Sequence, residues 1–403
     1  MVKKNLIKWL HIIGPGLIVG ALVFGPSKLT ITSKIGALYS YDLLWIIFIA
    51  IFFMAIYSVI AERIGLASEV SLLTLIGNKW GRKFAAVIGI GIFLVCASFQ
   101  TGNSVGVGVA IGELTNTSNS IWIVFFNLIG IVLLFFKEFY KVLEKLMLIL
   151  VGLMLFAFLI TLIEVKPNFL NVLTGFTIPK VPQGSMGLII AFIASCFSIV
   201  GAFYTSYLVQ ARKKINDNSS NRKNSSITGI IVLGILSAIL MICAAAILYP
   251  QNIKVETATD MSLALRPAFG EAASSVFLVG LFAAGFSSVV GNATIGGTLM
   301  SDALGLGSSL NSSKTKALIA SVMVVGAIIA LIFGNAPLEL IVFAQSVTIF
   351  IVPLIGIAMY LIANDKQVMK GNEINLFLKI SGAIGLLVVI FLAVVNFNNI
   401  FLK

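Results

Sequence analysis

Charge is what this sequence lacks most: only 10% of its 403 residues are Asp, Glu, Lys or Arg, and 59% are hydrophobic. An average soluble domain carries roughly 25% charged residues, so a soluble globular chain is excluded. Histidine is nearly absent. The single one, His11, sits at the expected cytoplasmic end of the first apolar run and reads as an interfacial residue rather than a proton relay. The three cysteines, Cys96, Cys196 and Cys243, all lie inside apolar runs, an odd set with neither a disulfide framework nor metal-ligand spacing. They are expected to be packing residues. No nucleophile–base pair, metal cluster or phosphate-binding glycine motif is present, and no large soluble domain, so neither an enzyme nor a bound cofactor is expected.

What is there is a succession of apolar runs of 18 residues or more, each long enough to cross a hydrocarbon core about 30 Å thick. Backbone groups in lipid must be satisfied internally, and runs this long and continuous suit helices rather than the alternating strands of a barrel. Hydropathy places about eleven spans, near 10–38, 42–61, 84–112, 120–137, 143–164, 186–211, 227–249, 273–300, 317–334, 338–362 and 376–398. The formal charge of +12 does not point to nucleic acid, because the basic residues sit in short loops. Of 27 Lys and Arg, twenty fall in one set of alternate loops and six in the other, with Lys28 left inside a span. The positive-inside rule therefore puts the N-terminus in the cytoplasm of a multi-pass cell-membrane protein. Residues 1–8 are basic and precede an apolar run, but no small-residue cleavage site follows, so the run is expected to be retained as a span. Residues 212–225 form the one polar low-complexity stretch and read as an orientation-setting cytoplasmic loop.

The first span is too long for one straight crossing, since Leu10 to Tyr39 as a helix would run about 45 Å. Gly25-Pro26-Ser27 near its middle supplies a residue free of side-chain constraint and one without a backbone donor, so the span is expected to break there. The sixth span carries Ser198, Gly201, Tyr204, Thr205 and Ser206 in its middle. Interruptions at positions one and six indicate a five-plus-five inverted repeat with a binding site between broken helices near the bilayer midplane. One transmembrane domain follows, with repeats at about 10–164 and 186–362 and an extra span at about 376–398.

Residues 14–45, GPGLIVGALVFGPSKLTITSKIGALYSYDLLW, residues 265–302, and residues 340–371 with Gln345, Pro353 and Asn364-Asp365-Lys366 resemble the Nramp family of proton-coupled divalent-metal transporters. The resemblance covers most of the chain and implies a leucine-transporter-type fold. The family's metal-site chemistry does not carry over. Its first-span signature Asp-Pro-Gly-Asn is matched here by Gly25, Pro26, Ser27 and Lys28. Its sixth-span Ala and Met-Pro-His, anchored on Gly201-Ala202, are matched by Thr205, Ser206 and Tyr207, with a register shift open. Its acidic third-span residues are matched by Gln100 and Asn103.

Lys28 needs an explanation, because a lysine deep in a span costs about 2.5–3.5 kcal/mol on insertion scales. Its ammonium either stands in for a bound cation and contacts an anionic or zwitterionic solute, or takes up and releases protons, or snorkels to the outer interface. The candidate substrate residues are Gly25, Ser27, Lys28, Thr30, Gly201, Ala202, Tyr204, Thr205 and Gln345, with Gln100, Asn103, Ser287 and Asn292 as further cavity-lining candidates and no metal ligand assigned. Glu62 and Arg63 read as an intracellular ion pair or gate. The function expected is secondary transport by alternating access, with metal ion as the cargo the resemblance implies. The alternatives are a small organic solute held by Lys28, or a non-transporting receptor or scaffold. Expected partners are the substrate and the lipid bilayer, with no nucleic acid; the sequence assigns no oligomeric state.

Overall fold

A computed structural model of the chain describes residues 25–215, 225–333 and 337–402. Among the described residues every regular element is a helix. In chain order they are α1 (Pro26–Tyr39), α2 (Trp45–Ala67), α3 (Leu72–Trp80), α4 (Arg82–Thr115), α5 (Asn119–Leu133), α6 (Lys137–Val165), α7 (Phe169–Thr177) and α8 (Met186–Cys196). They continue with α9 (Ile199–Ile215), α10 (Ser225–Ile247), α11 (Ala258–Ser262), α12 (Ala273–Ala303), α13 (Ser313–Ile332), α14 (Pro337–Thr348), α15 (Val352–Ala363) and α16 (Leu376–Phe401). Nine helical stretches among the described residues are long and apolar enough to cross a membrane, and α5 is a shorter apolar helix. These ten correspond to the second to eleventh expected crossings, and α1 is the described part of the first. The expected first half of the first span, with His11 and Gly14-Pro15-Gly16, lies outside the described residues, as does most of the polar stretch 212–225.

The sixth span is interrupted as expected, α1 starts at the expected first break, and the two places are built differently. Gly25 is extended at φ −80°, ψ 179°, and Pro26 takes the first helical position of α1. A proline there loses nothing, because the first helical N–H groups have no intrahelical acceptor. In the sixth span α8 ends at Cys196 and α9 begins at Ile199, so the break lies at Phe197-Ser198, at the N-terminal edge of the expected polar middle that runs from Ser198 to Ser206. The Ser198 hydroxyl accepts from the Gly201 backbone N–H at 3.1 Å, an N-cap that restarts the helix without glycine or proline at the break. The tenth span is also interrupted, at residues 349–351 between α14 and α15.

The helices pack as two groups. α1, α2, α9 and α10 pack mainly on one another, whereas α4, α12, α13 and α5 form a second set with α4 against α12 as its most extensive interface. Packing between the sets is sparse, most of it where α1 crosses α4. Small residues allow that crossing: a Cβ on Gly106 would meet the Pro26 ring at 2.2 Å, and one on Gly102 would meet Ser27 Oγ at 2.6 Å. Without a hydrophobic drive between helices in lipid, such backbone approach is what holds spans together.

Candidate functional site

A cavity of about 70 Å³ lies where the two interruptions meet. Its wall is formed by Gly25, Ser27 and Lys28 from the first break, Ser195, Ser198, Val200 and Gly201 around the second, Cys96, Phe99 and Asn103 from α4, Asn292 and Ile295 from α12, and Gln345 from α14. Seven of the expected residues are therefore brought together: Gly25, Ser27, Lys28, Gly201, Gln345, Asn103 and Asn292.

Six expected residues do not line the cavity. Thr205 Oγ1 donates to the Gly201 carbonyl at 3.1 Å and Ser287 Oγ to the Ala284 carbonyl at 3.2 Å, so both hydroxyls turn back onto their own helices. Tyr204 stacks on Tyr207, and Ala202 is packed in the core. Gln100 is fully buried within the α4–α5–α12 group, where its side chain accepts from Asn292 Nδ2 at 3.3 Å. Thr30 is likewise buried, and its hydroxyl has no hydrogen-bond partner. Ala202, Tyr204 and Thr205 fall outside the wall for one reason: the sixth span breaks at Phe197-Ser198, so these three residues lie within α9 beyond the break.

Lys28 is 1% exposed and does not reach the interface, which removes the snorkelling reading. Its ammonium is directed to the Cys196 thiol and stands 4.7 Å from the centre of the Phe192 ring. Both partners lie on the last two turns of α8, where the helix dipole places partial negative charge. A buried ammonium is thus held by a thiol, a ring face and a helix C-terminus, and among the described residues no carboxylate contributes to its surroundings. Cys196 is accordingly more than a packing residue, and Cys96 lines the cavity; only Cys243, whose Sγ lies 3.6 Å from the Phe158 carbonyl, meets that expectation.

The remaining polar groups are neutral. Gln345 Nε2 donates to Ser27 Oγ at 2.9 Å and ties α14 to the first break. Asn103 Oδ1 fills the space beside Gly25, where an added Cβ would come within 2.9 Å of it. A side chain at position 25 would require the Asn103 amide and the Ser288 hydroxyl to move aside. Asn292 Nδ2 donates to the Cys96 carbonyl at 2.7 Å. Among the described residues no three His, Cys, Asp or Glu side chains cluster in a metal-holding arrangement. Arg63 donates to the Glu373 backbone carbonyl at 2.7 Å, binding the C-terminal end of α2 to the segment before α16.

Sequence reasoning missed Ser195, Ser198, Cys96, Phe99, Val200 and Ile295. Ser198 carried a usable signal, being a serine three residues before a glycine inside an apolar run, the pattern of a capped restart. The others are ordinary span residues whose placement depends on how α4 and α12 pack.

Comparison with known proteins agrees with this architecture. The family model described as natural resistance-associated macrophage protein-like matches residues 16–398. The divalent metal cation transporter MntH of Caldanaerobacter subterraneus subsp. tengcongensis is 24% identical over 382 residues, covering 91% of this chain and 89% of that protein. MntH of Chromohalobacter salexigens is 25% identical over 386 residues, covering 93% and 87%. Among solved structures, a manganese transporter of Eremococcus coleocola superposes with a TM-score of 0.82 at 18% identity, covering 97% of this chain and 86% of that one. The nucleobase-cation-symport-1 family transporter Mhp1 superposes at 0.62 with 13% identity, covering 97% and 93%. The shared fold is that of leucine-transporter-type secondary transporters, and the chain belongs to the natural resistance-associated macrophage protein (Nramp) family.

Proposed function

We propose that this chain carries a metal ion across the cell membrane by alternating access, with the cavity between the two breaks as its binding site and the N-terminus in the cytoplasm. The carrying observation is the cavity itself: a small space at the junction of two broken spans, with the polar side chains of Ser27, Ser198, Asn103 and Gln345 in its wall beside Lys28. Its volume of about 70 Å³ accommodates an ion with a few waters. It is about half the ~150 Å³ of an engineered cavity that holds benzene, which disfavours the organic-solute reading. Broken helices at a polar cavity disfavour the scaffold reading, since a scaffold gains nothing from interrupted spans. The names of the MntH relatives supply the cargo class.

The residues present make a particular kind of cation site. Hydroxyl and amide oxygens of Ser27, Ser198, Asn103 and Gln345 are hard neutral donors of the type that suits Mg²⁺, Ca²⁺ and Mn²⁺. The Lys28 ammonium opposes any cation among them; two unit charges 4 Å apart interact at about 4 kcal/mol for an effective dielectric of 20, and a divalent ion doubles that. The ammonium's partners, the Cys196 thiol and the Phe192 ring, are not among these oxygen donors. The site is therefore a weak one, from which an ion leaves easily. The five-plus-five repeat, at about 10–164 and 186–362, brings the two breaks together, and rocking of the α1–α2–α9–α10 group against the α4–α5–α12–α13 group would expose the cavity alternately.

The test is uptake into proteoliposomes loaded with a metal-sensitive dye, using Mn²⁺ as the probe. Uptake is expected, with at least about a tenfold loss in Gln345→Leu and in Asn103→Leu, the order of effect of losing one ligand through about 1.4 kcal/mol. Absence of uptake of Mn²⁺, Mg²⁺, Fe²⁺ and Zn²⁺, together with uptake of a small organic acid, would overturn the proposal.

A further inference from the structure

Where the C-terminal end of α12 meets α9 and the α2–α3 turn, one carboxylate joins both packing groups. Asp302, in the last turn of α12, accepts through Oδ2 from the Tyr207 hydroxyl of α9 at 2.5 Å and from the Ser71 hydroxyl at 2.5 Å. Ser71 is also the N-cap of α3, accepting from the Thr74 N–H at 3.1 Å. One turn along α9 from Tyr207, Gln210 Nε2 donates to the Ser68 carbonyl at 3.1 Å and to the Val70 carbonyl at 2.6 Å. Tyr207 is 9% exposed and its ring stacks on Tyr204 and Phe203. The inner half of the sixth span is thereby fastened to the α2–α3 turn and, through a single charged acceptor, to the other helix group.

We infer that Asp302, with Tyr207 and Ser71, is the latch that holds the inner half of the sixth span against α12 and must release before the cavity opens to the cytoplasm. The placement supports this role in three ways. Direct packing of α9 on α12 is slight, so the hydroxyl–carboxylate bonds are a large share of what couples them. Bonds to an ionised acceptor are roughly twice as strong as neutral ones, which makes one side chain an effective fastening. Both donors share one oxygen, so movement of either α9 or the α2–α3 turn strains the other bond. Because α9 begins at the break lining the cavity, its tilt at the Tyr207 end is transmitted to Ser198 and Gly201 at the other. The inference rests on the alternating-access reading, and not on which ion is carried.

The test uses native thiols. Cys96 lines the cavity, whereas Cys243 is packed against α6 away from it. Inside-out vesicles are treated with a membrane-impermeant alkylating reagent and modification at each cysteine is quantified by mass spectrometry. Tyr207→Phe keeps the stacked ring and removes only the latch hydroxyl; the expected result is about a tenfold faster modification of Cys96, the ratio corresponding to roughly 1.4 kcal/mol. Asp302→Ala removes both bonds and is expected to accelerate it further, and Tyr204→Phe to leave it unchanged. Cys243 should stay slow in every variant, which separates latch release from general loosening of the fold. Unchanged or slower Cys96 modification in Tyr207→Phe, or acceleration matched at Cys243, overturns the latch. Loss of Mn²⁺ uptake by the unmodified protein would instead count against the cargo, leaving the labelling result to stand alone.

Discussion

The two interruptions that meet at the cavity are made by different means. The first is written in backbone chemistry: an extended Gly25, then Pro26 at the first helical position, with α4 glycines permitting the approach. The second, at Phe197-Ser198, has no residue that forbids a helix, and is held by a serine cap and by the packing of α8 and α9 in separate places. A break of the first kind is fixed by local sequence, whereas one of the second kind is a tertiary product. Perturbing the first should therefore damage the fold, and perturbing the second should alter the site while leaving the fold in place.

The largest expected effect is Gly106→Val, which drives side-chain atoms into the Pro26 ring where even a Cβ would sit at 2.2 Å. Overpacking of this kind costs about 1–3 kcal/mol or more, read as a lower unfolding midpoint in detergent. Next is Lys28→Met, which keeps the bulk and removes the charge; Mn²⁺ binding measured by calorimetry should tighten on the order of tenfold or more, as expected for removal of a charge repelling a divalent ion in a medium of intermediate dielectric. Unchanged affinity would place the ion out of reach of Lys28. Ser198→Ala should cost about 1 kcal/mol through the lost cap, and Ser198→Gly only a few tenths, with Mn²⁺ uptake falling in the same order. If both variants were as destabilised as Gly106→Val, the contrast between the two breaks would fail.

The smallest effect lies at the periphery. Lys79 pairs with Asp365, the N-cap of the short turn after α15, and that hydrogen bond holds the Asp365 carboxyl below its ordinary value of 3.8. A carboxyl with a depressed folded pKa stabilises the fold above its unfolded pKa, and the contribution is lost as pH falls through the folded value. Asp365→Asn should thus lower the unfolding midpoint slightly at neutral pH and make no difference in strong acid. Because the pair lies at the surface and is only partly covered, with the Lys79 side chain 36% exposed, added salt should shrink the neutral-pH effect.

The class, the number of crossings and the first break were legible because each rests on local properties: continuous apolar runs, the Lys and Arg asymmetry, and the Gly-Pro pair. Gln345 and Asn103 were reachable through family resemblance. The sixth-span residues were misplaced because an apolar run with scattered small residues does not reveal where it stops being helical; the cap at Ser198 was the clue that was there. Cys96 and Cys196 were set aside because their types and spacing suggest packing, and only the relative position of α4, α8 and α1 shows that one lines the cavity and the other meets an ammonium. The latch at Asp302 joins residues 71, 207 and 302, separated by more than ninety positions at each step, and no one-dimensional pattern connects them.

The central claim, that an ion occupies the cavity between the breaks, is tested most directly by substrate protection of the thiol in its wall. Alkylation of Cys96 in the purified protein is followed by mass spectrometry with and without saturating Mn²⁺, with Cys243 as the internal reference. The expected result is Mn²⁺-dependent slowing at Cys96 alone, abolished in Gln345→Leu. Equal rates at Cys96 with and without the ion, in protein that transports Mn²⁺, would put the binding site elsewhere and contradict the claim.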